Sequence, residues 1–257
     1  MRLITKNGAS YYQFEKFTTF SGVAHGIFTR AAGYSRGPFR GLNISRGIGD
    51  DKRNVYQNRN LIAHCFGGNT LVFADQVHGN QVIIIDDPAR SAENENSPAP
   101  LVGDALVTNF HHLFLVIQVA DCQSIMLYDP KQEVIANVHV GWRGSVNGII
   151  GRTISVMLKR FRCQPQDIIA GIGPSLGPCC AEFVNYRGEI PGKFWPYKDA
   201  AHHFDFWAIS RDQLMASGVL PENISISRLC TKCNTDLFFS YRGEGTTGRF
   251  AAVIGLK

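Results

Sequence analysis

A single α/β domain, with a mixed β-sheet core flanked by helices, is the fold class this sequence predicts. Three observations predict it. Apolar runs of strand length intermix with amphipathic runs of helix length along the whole chain. The 257 residues are 44% hydrophobic and 18% charged, enough to bury a full core. No internal repeat or low-complexity segment divides them, so residues 1–257 read as one domain, with 1–16 as an N-terminal extension and 86–103 as a surface loop.

The elements follow in order. Residues 17–51, rich in glycine and serine, predict short strands joined by tight turns. In "NVYQNRNLIAHCFG", Val55, Leu61, Ile62 and Phe66 share a helical face, and Gly67-Gly68 closes the helix. "LVFADQVHGNQVIIID" predicts two strands flanking a polar turn. "DPARSAENENSPAPLVG" is polar, proline-containing and aperiodic, which predicts the surface loop. "LFLVIQVADCQSIMLYDP" predicts two strands interrupted at Asp121-Cys122, and "EVIANVHV" a third. Val146, Ile150, Met157 and Phe161 predict one helix over "SVNGIIGRTISVMLKRF", ended by Pro165. "DIIAGIGPSLGPCC" predicts a buried strand entering a turn, and "DFWAISRDQLMASGVLPENI" a helix closed by Gly218 with Pro221 beyond. "LFFSYRGEGTTGRFAAVIGLK" predicts a hairpin-like pair of strands.

Net charge is +5, spread over scattered lysines and arginines. This argues against a nucleic-acid partner and is compatible with small anionic substrates. No apolar run is long enough to span a bilayer or to serve as a signal peptide, so a cytoplasmic protein without a membrane partner is expected. The seven cysteines, an odd number, read as reduced thiols rather than a disulfide framework.

Three ligand-type residues stand at predicted strand ends: His78 in "QVHG", Cys122 in "VADCQ" and His139 in "VHVGWRG". Such ends line functional crevices in α/β sheets. Two imidazoles and a thiolate are a donor set for zinc or copper, and three donors leave one position for water or substrate. On spacing alone, a packed thiol and two turn histidines is the simpler reading. Arg143 falls at a predicted helix start, a place suited to an anion, and Arg30 and Asn43 in the glycine-rich front segment are further candidates for the same crevice. "CTKC", residues 230–233, resembles a zinc half-site, but no second pair with the usual spacing completes it; Cys179-Cys180 read as packed thiols. His111-His112 and His202-His203 are adjacent pairs whose rings point apart on a strand.

Several motifs occur together: "GVAHGIFTR", "GPFRGLN", "GDD", "QVHG", "GDALVTN", "ADC", "VHVGWRG", "IGPSLGPCC" and "FFSYRGEGTTGR". On these the chain resembles the YfiH-like family, members of which are described as polyphenol oxidase (laccase) domain proteins and as purine nucleoside phosphorylases. The resemblance runs from about Gly22 to the C-terminus. It implies a single α/β domain with a His-Cys-His site on His78, Cys122 and His139, both catalytic and metal-binding, holding zinc or else copper. The implied activity is phosphorolysis of adenosine, inosine and methylthioadenosine to free base and ribose 1-phosphate, with adenosine deamination in the same pocket. In that reading Arg143 and Arg30 hold phosphate and Asn43 contacts substrate. The chain departs from the family's usual pattern within "GDALVTN", "ADCQSIML", "CCAEF" and "GIGDD", which bears on substrate preference.

Three other readings compete. A copper-dependent phenol oxidase is disfavoured because laccases proper use closely spaced H-x-H pairs, and this chain has eight histidines and no such pair. A cysteine hydrolase, acting on an amide of a cell-wall precursor, would use Cys122 as nucleophile with a histidine base and Asp121 or another acid as its orienter. A purine- or metal-binding module would need no catalysis at all.

Overall fold

Two six-stranded mixed sheets, rather than one, carry the fold. The structure is a computed structural model that describes residues 1–87 and 100–257. Most of the expected surface loop, residues 88–99, lies outside the described residues. The first sheet runs β1 (Arg2–Lys6), β2 (Ala9–Gln13), β3 (Val23–Phe28), β12 (Phe250–Leu256), β7 (Leu113–Val119), β4 (Thr70–Phe73). The second runs β11 (Ile224–Ile226), β10 (Ile169–Ile172), β8 (Gln123–Asp129), β9 (Val134–Val140), β6 (Ala105–Thr108), β5 (Val82–Ile84). Three pairs are parallel: β4–β7, β10–β11 and β5–β6.

Alternation along the strands builds the layers. In β7, Leu115, Ile117 and Val119 face the second sheet, where they meet Met126 and Ile135. Phe114 and Val116 face the other way, towards Ile62 and Cys65 of the helix α2 (Lys52–Cys65). In β9, Val134, Ala136 and Val138 face α4 (Ile149–Phe161) and α6 (Phe206–Ala216). The opposite face of β9 carries Ile135, Asn137 and His139. Asn137 stitches the sheets together, because its amide donates to Leu115 O at 2.9 Å and Ala252 O at 2.8 Å. His139, one step further along that face, lies where the sandwich ends and a cleft begins. The register puts the end of β7 beside the start of β12, and the start of β8 beside the end of β9.

Several expectations need correction. Residues 1–16 are no appended tail, since β1 and β2 extend the first sheet through β3. Between 17 and 51 the only full strand is β3; most of the remainder is irregular and held by side-chain bonds. The helix expected from residue 145 is broken into α3 (Trp142–Val146) and α4 by Gly148 at φ +74°, and α4 stops at Arg162 (φ 60°), before Pro165. The C-terminal hairpin is a single strand. Phe238 and Phe239 fill the core between the sheets without joining a ladder. Ser240 then caps the one-turn helix α7 (Tyr241–Glu244) by accepting from Gly243 N at 3.1 Å.

Candidate active site

His78, Cys122 and His139 come together. Their donor atoms all lie within 4.8 Å of one another, although the residues arrive from three separate segments. His139 is the buried penultimate residue of β9, Cys122 immediately precedes β8, and His78 is on the exposed loop between β4 and β5. The β8–β9 pairing sets Ser124 opposite His139, which brings Cys122 to the same end. His78 and Asp121 both take positive φ, 58° and 83°, a conformation L-residues seldom adopt unless their surroundings hold it. The glycines of "GWRG" are explained by close approach: a Cβ on Gly141 would stand 3.2 Å from both Cys122 Sγ and His78 Cδ2.

Asp104, fully buried before β6, organises the cluster. Its carboxylate accepts from His78 N at 2.9 Å and Gly79 N at 2.7 Å, which fixes the loop. It also lies 2.7 Å from His139 Nδ1, which orients the ring and leaves Nε2 for the cluster. Burial alone would raise the Asp104 carboxyl; the hydrogen bonds from His139, Gly79 and His78 and the charge of His139 outweigh it and hold it below the usual carboxylate range. Burial likewise pushes the Cys122 thiol up, but the charges and hydrogen bonds of His139 and His78 bring it down to about 6. His139 moves the other way: burial lowers it, and Cys122 and Asp104 together raise it to about 9. Without metal, Cys122 and His139 therefore form a thiolate–imidazolium pair.

Two imidazoles, a readily ionised thiolate and a carboxylate behind one ring fit a single zinc- or copper-type ion with one open position. They do not fit a multi-copper centre. Of the eight histidines, only His78 and His139 line the cleft.

The cleft has a volume of about 860 Å³, within the range of small-molecule sites. Arg46, Arg143, Arg242 and Arg249 line it, together with Trp142, Phe183, Phe206 and Tyr241. Arg143 stacks its guanidinium over Trp142 at 4.3 Å. Arg242 is steadied by donating to Glu182 O at 2.9 Å, and Arg249 by donating to Thr247 O at 3.0 Å and Gly248 O at 2.9 Å.

Two expected site residues are elsewhere. Arg30 is drawn to Glu244 at 2.7 Å and Thr235 O at 2.8 Å and lies over Phe239, outside the cleft. Asn43 is buried and does not line the cleft; it binds Asp50 at 2.7 Å and accepts from Arg249 N at 2.8 Å, so it acts on the cleft by holding Arg249. Asp121 orients no histidine either. Its carboxylate takes Thr231 and Ser240 hydroxyls, each at 2.7 Å, and the Arg242 N–H. Sequence reasoning did not single out Asp104, Arg242 or Arg249, although "GDALVTN" and "SYRGEGTTGR" contain them.

Fold and site together define a class: two-sheet α/β proteins with a His-Cys-His cluster in a cationic, aromatic cleft. Residues 24–257 match the family model described as multi-copper polyphenol oxidoreductase laccase. The chain is 34% identical to the purine nucleoside phosphorylase YlmD of Geobacillus stearothermophilus, over 93% of this chain and 92% of that one. It is 31% identical to a purine nucleoside phosphorylase of Bacteroides thetaiotaomicron, over 94% of each. The crystal structure of the Bacillus licheniformis hypothetical protein YfiH superposes with a TM-score of 0.86 at 29% identity, covering 98% of this chain and 97% of that one. The chain belongs to this laccase-like, YfiH family.

Proposed function

We propose that the protein is a purine nucleoside phosphorylase acting on adenosine, inosine and methylthioadenosine, with zinc at His78, Cys122 and His139. The supporting observation is the convergence, in one cleft, of the His-Cys-His cluster, four arginines and an aromatic wall. The names of its relatives favour the same chemistry.

Phosphorolysis breaks the bond between ribose C1′ and the purine nitrogen, whose electron pair leaves with the base, and forms a C1′–O bond to phosphate. Trp142, Phe183 and Tyr241 offer faces on which a purine can stack. Arg143, Arg242 and Arg249 supply the positive charge that holds phosphate beside the sugar. Bound zinc would supply a Lewis acid for the negative charge that develops on the departing base. Asp104 keeps the His139 ring in place throughout. Deamination of adenosine in the same cleft would also need a proton carrier; Asp75 and Asp121 are the acids that line the cleft, and Asp121 is engaged by Thr231 and Ser240. A cytoplasmic location would keep its seven cysteines available as thiols.

Incubation of the protein with inosine and phosphate should release hypoxanthine, and Cys122→Ala should not. Equal release by both proteins would remove the reading.

One observation favours a second reading. Cys122, His139 and Asp104 have the order and charge state of a nucleophile, base and orienter, as a cysteine hydrolase of a cell-wall precursor amide requires. Amide cleavage that survives chelator, with a covalent adduct on Cys122, would select it over the phosphorylase.

A further inference from the structure

Four cysteines outside the cleft form a second cluster. β10 and β11 are parallel, and the chain segments beyond them stay side by side: Ser175 N donates to Leu229 O at 3.2 Å, and Thr231 N to Ser175 O at 3.0 Å. The turn carrying Cys179 and Cys180 thereby meets the Cys-Thr-Lys-Cys turn of residues 230–233. All four sulfurs lie within 4.8 Å of one another, and Cys233 Sγ stands 3.6 Å from both Cys179 Sγ and Cys180 Sγ. We propose that Cys179, Cys180, Cys230 and Cys233 bind one zinc ion as a structural tetrathiolate site, separate from the His-Cys-His cluster.

The spacing suits a single tetrahedral ion. A Zn–S bond of about 2.3 Å puts tetrahedral sulfurs about 3.8 Å apart, close to the distances found. A disulfide needs sulfurs about 2.05 Å apart, and Cys233 is equidistant from two candidates. An iron–sulfur cluster spreads its thiolates over several irons and needs them further apart. Gly177 N donates to Cys230 Sγ at 3.3 Å, a bond that favours a thiolate there. Four protein donors leave no open position, so the ion is a staple rather than a reagent. What it would staple is the cleft wall. Ala181 and Phe183, just after Cys180, line the cleft, and Thr231, next to Cys230, holds Asp121 beside Cys122.

The test uses protein made with zinc in the medium and purified under reductant without chelator. Metal analysis should give two zinc ions per chain, and one in Cys122→Ala. Cys179→Ser/Cys233→Ser should also hold one. In the wild type, Cys179 and Cys233 are exposed, yet peptide-resolved alkylation should find them protected until a chelator is added. Cobalt(II) loaded into Cys122→Ala should show thiolate-to-metal charge transfer and tetrahedral d–d absorption. Cys122→Ala protein without any zinc overturns the proposal. So does full-rate alkylation of Cys179 and Cys233 before chelation, or a disulfide to Cys233. No readout depends on turnover, so the site stands or falls independently of the phosphorylase reading.

Discussion

At the scale of single residues, Asp104 does the most with one side chain. It fixes the His78 loop through two backbone N–H groups and the His139 ring through Nδ1. Replacing carboxylates behind metal-bound histidines commonly weakens metal binding about 10–100-fold, and Asp104→Asn should fall in that range in a competition titration. The charge state of the metal-free pair gives a second expectation. The Cys122 pKa is depressed to about 6, so its thiolate persists until the pH falls through that value. The His139 pKa is raised to about 9, so its imidazolium persists until the pH rises through that value. Their mutual stabilisation is therefore complete only between those limits. In chelator-treated protein, alkylation of Cys122 should rise around pH 6; a midpoint near that of an ordinary thiol would contradict the geometry. Removing one charge-assisted contact to phosphate costs about 1.5–3 kcal/mol, so Arg249→Ala should raise the KM for phosphate by roughly tenfold or more while metal content stays unchanged. These roles were unevenly legible. His78, Cys122 and His139 stood out because ligand-type side chains broke strand patterns. Asp104 and Arg249 did not, because a lone acid before a strand and a lone arginine in a glycine-rich turn have no local signature. Arg30 misled because only tertiary structure reveals Glu244 as its partner.

At the scale of elements, the joint between β9 and α3 carries the site. The strand's alternation could be read from "EVIANVHV", and with it the arrival of His139 at a strand end. The break at Gly148 could not, because α3 and α4 each continue the apolar period and only the left-handed glycine separates them. The C-terminal segment failed for a related reason: "LFFS" has strand-like composition but is buried by packing between the sheets, and composition does not distinguish the two. The four-cysteine cluster was hidden because its halves come from neighbouring elements rather than from one zinc motif. Gly141 offers a test of the joint. The Cβ of Gly141→Ala would press on Cys122 and His78 at 3.2 Å, so the variant should lose metal from the His-Cys-His site while its thermal midpoint, compared with wild type after both are stripped of metal, changes little. Retention of metal with wild-type affinity would show that the glycine is not required for close approach.

At the scale of the whole molecule, two sheets must be held at a fixed offset for the three ligands and the arginines to share one cleft. Asn137 provides that registration from inside the core. Truncation to Ala removes two buried hydrogen bonds and should cost about 1–3 kcal/mol in denaturant unfolding. The fold class was legible in the intermixed periodicities, but the division into two sheets was not, because strand pairing across long separations leaves no trace in local pattern. The cleft formed at the end of that sandwich is read as a place where phosphate attacks a nucleoside. Phosphorus NMR of the protein with inosine and inorganic phosphate tests this most directly. The expected result is conversion of the phosphate signal into that of a ribose 1-phosphate ester, in step with hypoxanthine release. Hypoxanthine released with the phosphate signal unchanged, or neither product formed by zinc-loaded protein, would contradict it.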